Sequence, residues 1–153
     1  MTNSRDKGNR GELEAVRLWR AIGYGSARRG FQYQDGSANA DILGVPYWVE
    51  VKRYKRALPS TFAAGFRQGY KNMTTACERS YIPDLLDVVV MGRGDHGIWY
   101  VLAPVQLLID LGYAGEVVSF RYKYITSNFN LMQITWEQFA YLQGRFDGKR
   151  ESS

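Results

Sequence analysis

Charge set inside an otherwise apolar hairpin pattern constrains this chain more than any other feature. Ala40-Asp41-Ile42-Leu43 has the pattern of a short strand, Gly44-Val45-Pro46 marks a turn, and Tyr47-Trp48-Val49-Glu50-Val51-Lys52-Arg53-Tyr54 is β-branched and aromatic. Alternation along the second strand puts Trp48, Glu50 and Lys52 on one face and Val49 and Val51 on the other. A tight connection with Val45 and Pro46 at its tip sets Asp41 opposite Glu50. Like charges placed there are destabilising unless something compensates them. A divalent cation would do so, because Mg²⁺ prefers oxygen ligands and commonly takes one or two carboxylates together with substrate phosphate. A surface ion-pair cluster, in which Asp41 and Glu50 meet Lys52 or Arg53, is the competing reading.

Size and composition bound what such a hairpin can belong to. The 153 residues suit one domain, and 45% hydrophobic with 14% aromatic content is enough for a core. A net charge of +5 suggests a polyanionic partner. The single cysteine, Cys77, excludes an internal disulfide and a cysteine-built zinc cage, and it falls on a helical apolar stripe. The single histidine, His96, lies in Arg93-Gly94-Asp95-His96-Gly97 and reads as a turn residue. No apolar run approaches the ~20 residues a membrane helix needs and no signal-peptide pattern opens the sequence. A soluble intracellular protein without a membrane partner is expected, in the cytoplasm or nucleoid, or in the host cytoplasm if the source is a virus.

Around the hairpin the pattern alternates between helix and strand. Leu13, Val16, Trp19 and Ile22 keep helical spacing from about Asn9, with Gly23 and Gly25 as the stop. Ala27 to Tyr33 suits a first strand, followed by a loop from Gln34 to Asn39. Ser60 suits an N-cap, and Phe62, Phe66, Tyr70, Met73 and Cys77 make one stripe of a helix to about Arg79. Asp87–Met91 and Ile98–Leu102 read as a strand pair across a Gly-rich turn. Val105–Leu111 is a short helix, Glu116–Ile125 is strand-like, and Thr135-Trp136-Glu137-Gln138 fits a capping box opening a helix to about Leu142. Residues 1–7 and 147–153 read as flexible polar tails. This order predicts an α/β fold, a mixed sheet with helices on both faces.

Phosphodiester hydrolysis needs a water activated by a metal ion, charge neutralisation at phosphorus and help for the leaving oxygen. Asp41 and Glu50 are placed to hold one or two ions, with the main-chain carbonyl of Val51 as a further donor. Lys52 can orient the water or stabilise developing negative charge. Glu12 or Glu14 of the first helix could add a carboxylate, although an exposed charge on a helix is ordinarily just solvated. Lys7, Arg10, Arg28, Arg29, Arg53, Lys55 and Arg56 surround this centre with positive charge, as phosphate-contacting blocks do.

Together these residues resemble the PD-(D/E)xK nuclease superfamily, whose core is matched by Asp41 and Glu50-Val51-Lys52. Lys7-Gly8-Asn9-Arg10-Gly11-Glu12, with the amphipathic helix that follows, is similar to the opening of archaeal-type Holliday junction resolvases, although Leu13 stands where that family usually has arginine. The likeness covers about residues 7–56. It implies a restriction-endonuclease-like α/β fold with a central mixed sheet flanked by helices. It implies Glu12, rather than Glu14, at the metal site with Asp41 and Glu50, Lys52 as the catalytic lysine, and Arg28 on DNA near the cut. Ser37 matches a serine the family uses in the loop before its aspartate. Mg²⁺ is the implied cofactor, with Mn²⁺ as a substitute. The implied substrate is branched DNA, and a homodimer matches the two-fold symmetry of a four-way junction. Two other functions fit the residues: a nuclease of the same superfamily acting in repair or restriction on linear or flapped duplex, and a basic DNA-binding protein without catalysis.

Overall fold

The structure, a computed structural model, describes residues 4–53, 58–116, 120–124 and 127–151. Its helices are α1 (Ser4–Ala21), α2 (Pro59–Glu78), α3 (Val105–Asp110) and α4 (Trp136–Glu151). Its strands are β1 (Arg28–Arg29), β2 (Ile42–Leu43), β3 (Trp48–Arg53), β4 (Val88–Arg93), β5 (Trp99–Pro104), β6 (Phe120–Tyr124) and β7 (Ser127–Thr135). The strands form one sheet in the order β1-β2-β3-β4-β5-β7-β6. Among the described residues only β3 and β4 run parallel, Glu50 lying level with Val90, and α2 lies in the crossover that a parallel pair requires. The chain is thus an α/β fold with a central mixed sheet flanked by helices, consistent with a restriction-endonuclease-like arrangement.

Alternation along the strands divides the core into two layers. Val49, Val89, Met91, Val101 and Ile134 pack on one face against Ala15, Val16 and Trp19 of α1, Leu108 of α3 and Phe139 of α4. Trp48, Val88, Val90, Leu102 and Leu131 pack on the other face against Phe62, Phe66, Met73 and Ala76 of α2. Trp19 centres the first layer. Its indole N–H donates to Met91 Sδ at 3.0 Å, and its ring makes edge contacts with Tyr24, Trp136 and Phe139. With both faces covered, the middle strands read as apolar runs rather than as alternating ones.

Several boundaries differ from the sequence expectation, each for a local reason. α1 begins at Ser4 rather than at about Asn9, and α4 continues to Glu151 rather than ending at about Leu142. The strand expected over Ala27–Tyr33 is only Arg28–Arg29, because Gly30 turns its N–H to the Asp41 carbonyl at 2.9 Å and presses on the Ala40 carbonyl with no room for a Cβ. Leu58, not Ser60, caps α2, since Pro59 occupies the first turn with its φ already helical. β7 has no counterpart in the sequence reading. Its Asn128 and Asn130 are poor strand residues, and the ladders to β5 and β6 on its two sides override them. The expected strand over Glu116–Ile125 is seen as β6, with residues 117–119 and 125 outside the described residues. The capping box is present, with Gln138 N–H donating to Thr135 Oγ1 at 3.1 Å and Thr135 N–H to Gln138 Oε1 at 2.9 Å. His96 sits in the β4–β5 turn at a positive φ of 64°.

Candidate active site

The antiparallel register Ile42 opposite Val49 carries Asp41 to the level of Glu50. Asp41 is tied on three sides. Its N–H donates to the Val49 carbonyl at 2.8 Å, its carbonyl accepts from Gly30 N–H at 2.9 Å, and its Oδ2 accepts from Val51 N–H at 2.8 Å. A carboxylate so restrained keeps its place whether or not anything is bound.

Glu50 is the one charged residue that is buried among the described residues, at 3% exposure. It lies under α2, where a Cβ on Gly69 would stand 2.6 Å from its Cγ and 2.9 Å from Val88 Cγ1. Glycine at 69 is therefore what lets the helix pass directly over the carboxylate. Glu50 accepts one hydrogen bond from Trp48 Nε1–H at 3.1 Å. Burial first and the neighbouring Asp41 second push its pKa up to about 8, the Trp48 hydrogen bond and the Lys52 charge offsetting them only in part. At neutral pH the side chain thus holds a proton in a place where a cation would do the same work.

Lys52 projects from the same face, and its Nζ donates to Gln68 Oε1 of α2 at 2.8 Å. Glu12 reaches the site from α1. Its Oε2 accepts from Arg29 Nε and Nη2, both at 2.9 Å. Its pKa is raised, first by burial and then by Asp41, against the opposing pull of Arg29 and Lys52. Glu12, Asp41, Glu50, Lys52 and Arg29 therefore share one electrostatic neighbourhood. Glu14 points elsewhere, accepting from Trp99 Nε1–H at 2.9 Å and from Arg93 at 3.3 Å.

The other candidates are distributed differently. Arg28 is exposed, with one hydrogen bond to the Ser26 carbonyl at 3.2 Å. Ser37 is engaged within its own loop: its hydroxyl donates to Asp35 Oδ1 at 2.6 Å and its N–H to the same oxygen at 2.9 Å. Arg10 and Arg53 line a cleft that also includes Lys52. Lys7 lies in α1, and Lys55 and Arg56 fall outside the described residues. Among the described residues no three His, Cys, Asp or Glu side chains converge closely enough to hold a metal ion together. Glu12, Asp41 and Glu50, expected together at a metal site, therefore do not form a three-carboxylate cluster; Asp41 and Glu50 are the two carboxylates set level with each other across the hairpin.

Three partners were not assigned from the sequence. Arg29, rather than its neighbour Arg28, braces the α1 glutamate; Gln68 anchors Lys52; and Gly69 makes room for Glu50. The spacing of Gly65 and Gly69, four residues apart on one helical face, was the available signal for that close approach. No helix among the described residues is long and apolar enough to cross a membrane. Compared with protein-family models, with curated proteins and with solved structures, the chain finds no match.

Proposed function

We propose that this protein is a Mg²⁺-dependent, structure-selective DNA endonuclease that resolves four-way junctions by paired nicks in opposing strands. The observation that carries the hydrolytic part is geometric: the carboxyl of Glu50 is buried under α2 and level with the carboxylate of Asp41, which the Val51 N–H holds in place. A fold gains little from that arrangement alone, since a buried carboxyl with a single indole donor, set level with a second carboxylate, costs stability. Perturbed groups of this kind cluster at functional sites. The selectivity for junctions rests on the resemblance of Lys7–Glu12 and of Asp41 with Glu50-Val51-Lys52 to the archaeal-type resolvases.

In this reading Asp41 and Glu50 hold Mg²⁺, which when bound supplies activation of water and neutralisation of charge at the scissile phosphate, with Mn²⁺ able to replace it. Glu12, braced by Arg29, adds negative charge at the rim and orients what is bound there. Lys52, its ammonium fixed by Gln68, faces the incoming phosphate and stabilises the charge that develops on it. Arg28, exposed on β1, would meet the strand near the cut. A homodimer would bring two such sites to opposing strands of the junction.

The test is incubation of the protein with an end-labelled immobile junction and with its component duplexes at equal concentration, with Mg²⁺ or with EDTA. Paired, symmetric, Mg²⁺-dependent nicks in the junction alone are expected. Equal cutting of duplex would replace the resolvase reading with a repair or restriction nuclease. Binding without cutting would leave the carboxylates as a structural pair in a DNA-binding protein.

A further inference from the structure

α1 and the ends of β3, β4 and β5 enclose a cleft of about 660 Å³ that shares Lys52 with the candidate site. Arg10, Leu13, Glu14 and Arg17 face it from α1 at spacings of three and four residues, which places them on one stripe of the helix. Val51, Lys52, Arg53, Arg93 and Trp99 close it from the sheet. Five cationic side chains therefore meet a single carboxylate, Glu14. Arg10, Arg17 and Arg53 are exposed and have no ion-pair partner among the described residues. Arg93 is held ready, its guanidinium against Glu14 at 3.3 Å and beside the turn at Gly97. Positive charge concentrated in a concave site with one counter-charge for five cations favours an anion there.

A second observation points the same way. Gly11 lies within α1 and lines this cleft, yet a Cβ there would meet nothing within 4 Å. Glycine inside a helix is less favourable than alanine by about 0.8–1.0 kcal/mol, and here no neighbour in the fold requires it. Its absent side chain leaves the helix backbone open to whatever occupies the cleft.

We infer that this cleft is a second phosphate-binding track, holding the backbone of the nucleic-acid strand as it runs away from the scissile position past Lys52. Arg17 and Arg93 contact phosphates, Gly11 lets the strand approach α1 closely, and Glu14 limits affinity by being the one repelling charge. This inference rests on the nucleic-acid part of the proposed function but not on hydrolysis.

The experiment measures binding of a fluorescently labelled four-way junction in EDTA at a series of salt concentrations, by wild type and by Arg17→Ala, Arg93→Ala, Glu14→Gln and Gly11→Ala. Each arginine variant should bind roughly tenfold more weakly, with the log–log salt slope reduced by about one. Glu14→Gln keeps an acceptor for Trp99 and should bind more tightly. Gly11→Ala should raise the melting temperature by about 2–4 °C while weakening binding, so that lost affinity is not lost folding. Wild-type affinity and slope in Arg17→Ala together with unchanged affinity in Gly11→Ala would overturn the track. Should wild type cut junctions in Mg²⁺ in that case, the proposed function stands without it. Should wild type bind and never cut, while the variants behave as stated, the track stands and the nuclease falls. Should wild type not bind nucleic acid at all, both fall.

Discussion

Two carboxylates in this molecule, Asp35 and Glu50, occupy opposite circumstances. Asp35 is exposed and oversupplied with donors: Ser37 N–H and Oγ–H, Arg79 Nη1 at 2.7 Å and Tyr81 Oη at 2.7 Å. These hydrogen bonds, led by the Ser37 hydroxyl, hold its carboxyl far below the usual range. Tyr81 in turn stacks on Tyr33 with ring centroids 4.0 Å apart, so the loop before Asp41 is fastened to the end of α2. Glu50 is buried, has one indole donor, and faces another carboxylate. A carboxylate with its donors in place is a staple; one with a single donor inside the fold is instead pressed toward its uncharged form.

The largest test of that contrast is removal of charge at the site. Asp41→Asn, Glu50→Gln and Lys52→Ala should each lower Mg²⁺-dependent cutting by about 10²–10³-fold or more while junction binding survives. Asp35→Asn should leave most of the cutting rate intact, measured on the same substrate. Comparable losses at Asp35 and Glu50 would erase the distinction. Next in size, Glu12→Gln should lose more cutting than Glu14→Gln, since Glu12 feels Asp41 and Lys52 whereas Glu14 is taken by Trp99 and Arg93. Equal losses would break the assignment of α1.

Stability against pH sharpens the comparison, because the two groups act with opposite sign. The folded state raises the Glu50 pKa from 4.5 to about 8, so between those values the native protein holds a proton that the unfolded chain has released. Metal-free stability should therefore fall as pH rises through that window, by on the order of a few kcal/mol, and Glu50→Gln should flatten the slope. Asp35, with its pKa lowered from 3.8, contributes stability above that value that is lost as pH falls below it. Asp35→Asn should remove part of the acid limb and leave the alkaline slope alone. Urea titrations across pH 3–9 read both limbs. Smaller again, Gly69→Ala should cost about 1–3 kcal/mol, because its Cβ meets Glu50 Cγ and Val88 Cγ1 inside contact distance.

How much of this was legible in the sequence follows from the range of the signals. Hairpin register and faces are local: a period of two, a Gly-Val-Pro turn and a fixed loop length bring Asp41 level with Glu50 and set Glu50 and Lys52 toward α2. The long amphipathic helices are equally local. Arg29 on Glu12, Gln68 on Lys52 and Arg79 on Asp35 join residues 16 or more positions apart, and nothing in their own neighbourhood announces the partner. Ser37 illustrates the limit: the resemblance offered it as a site residue, and nothing in the sequence showed that its N–H and hydroxyl both donate to Asp35 within its own loop. β7 was hidden because its stability comes from two flanking strands rather than from its own residues.

The central claim is that the Asp41–Glu50 pair exchanges a proton for a divalent cation. Calorimetric titration of Mg²⁺ into the protein at pH 7, in two buffers of different ionisation enthalpy, measures that exchange directly. The account predicts binding with release of about one proton, both lost in Asp41→Asn, and binding without proton release in any residual site of Glu50→Gln. Absence of Mg²⁺ binding, or identical proton release from wild type and Glu50→Gln, would contradict it.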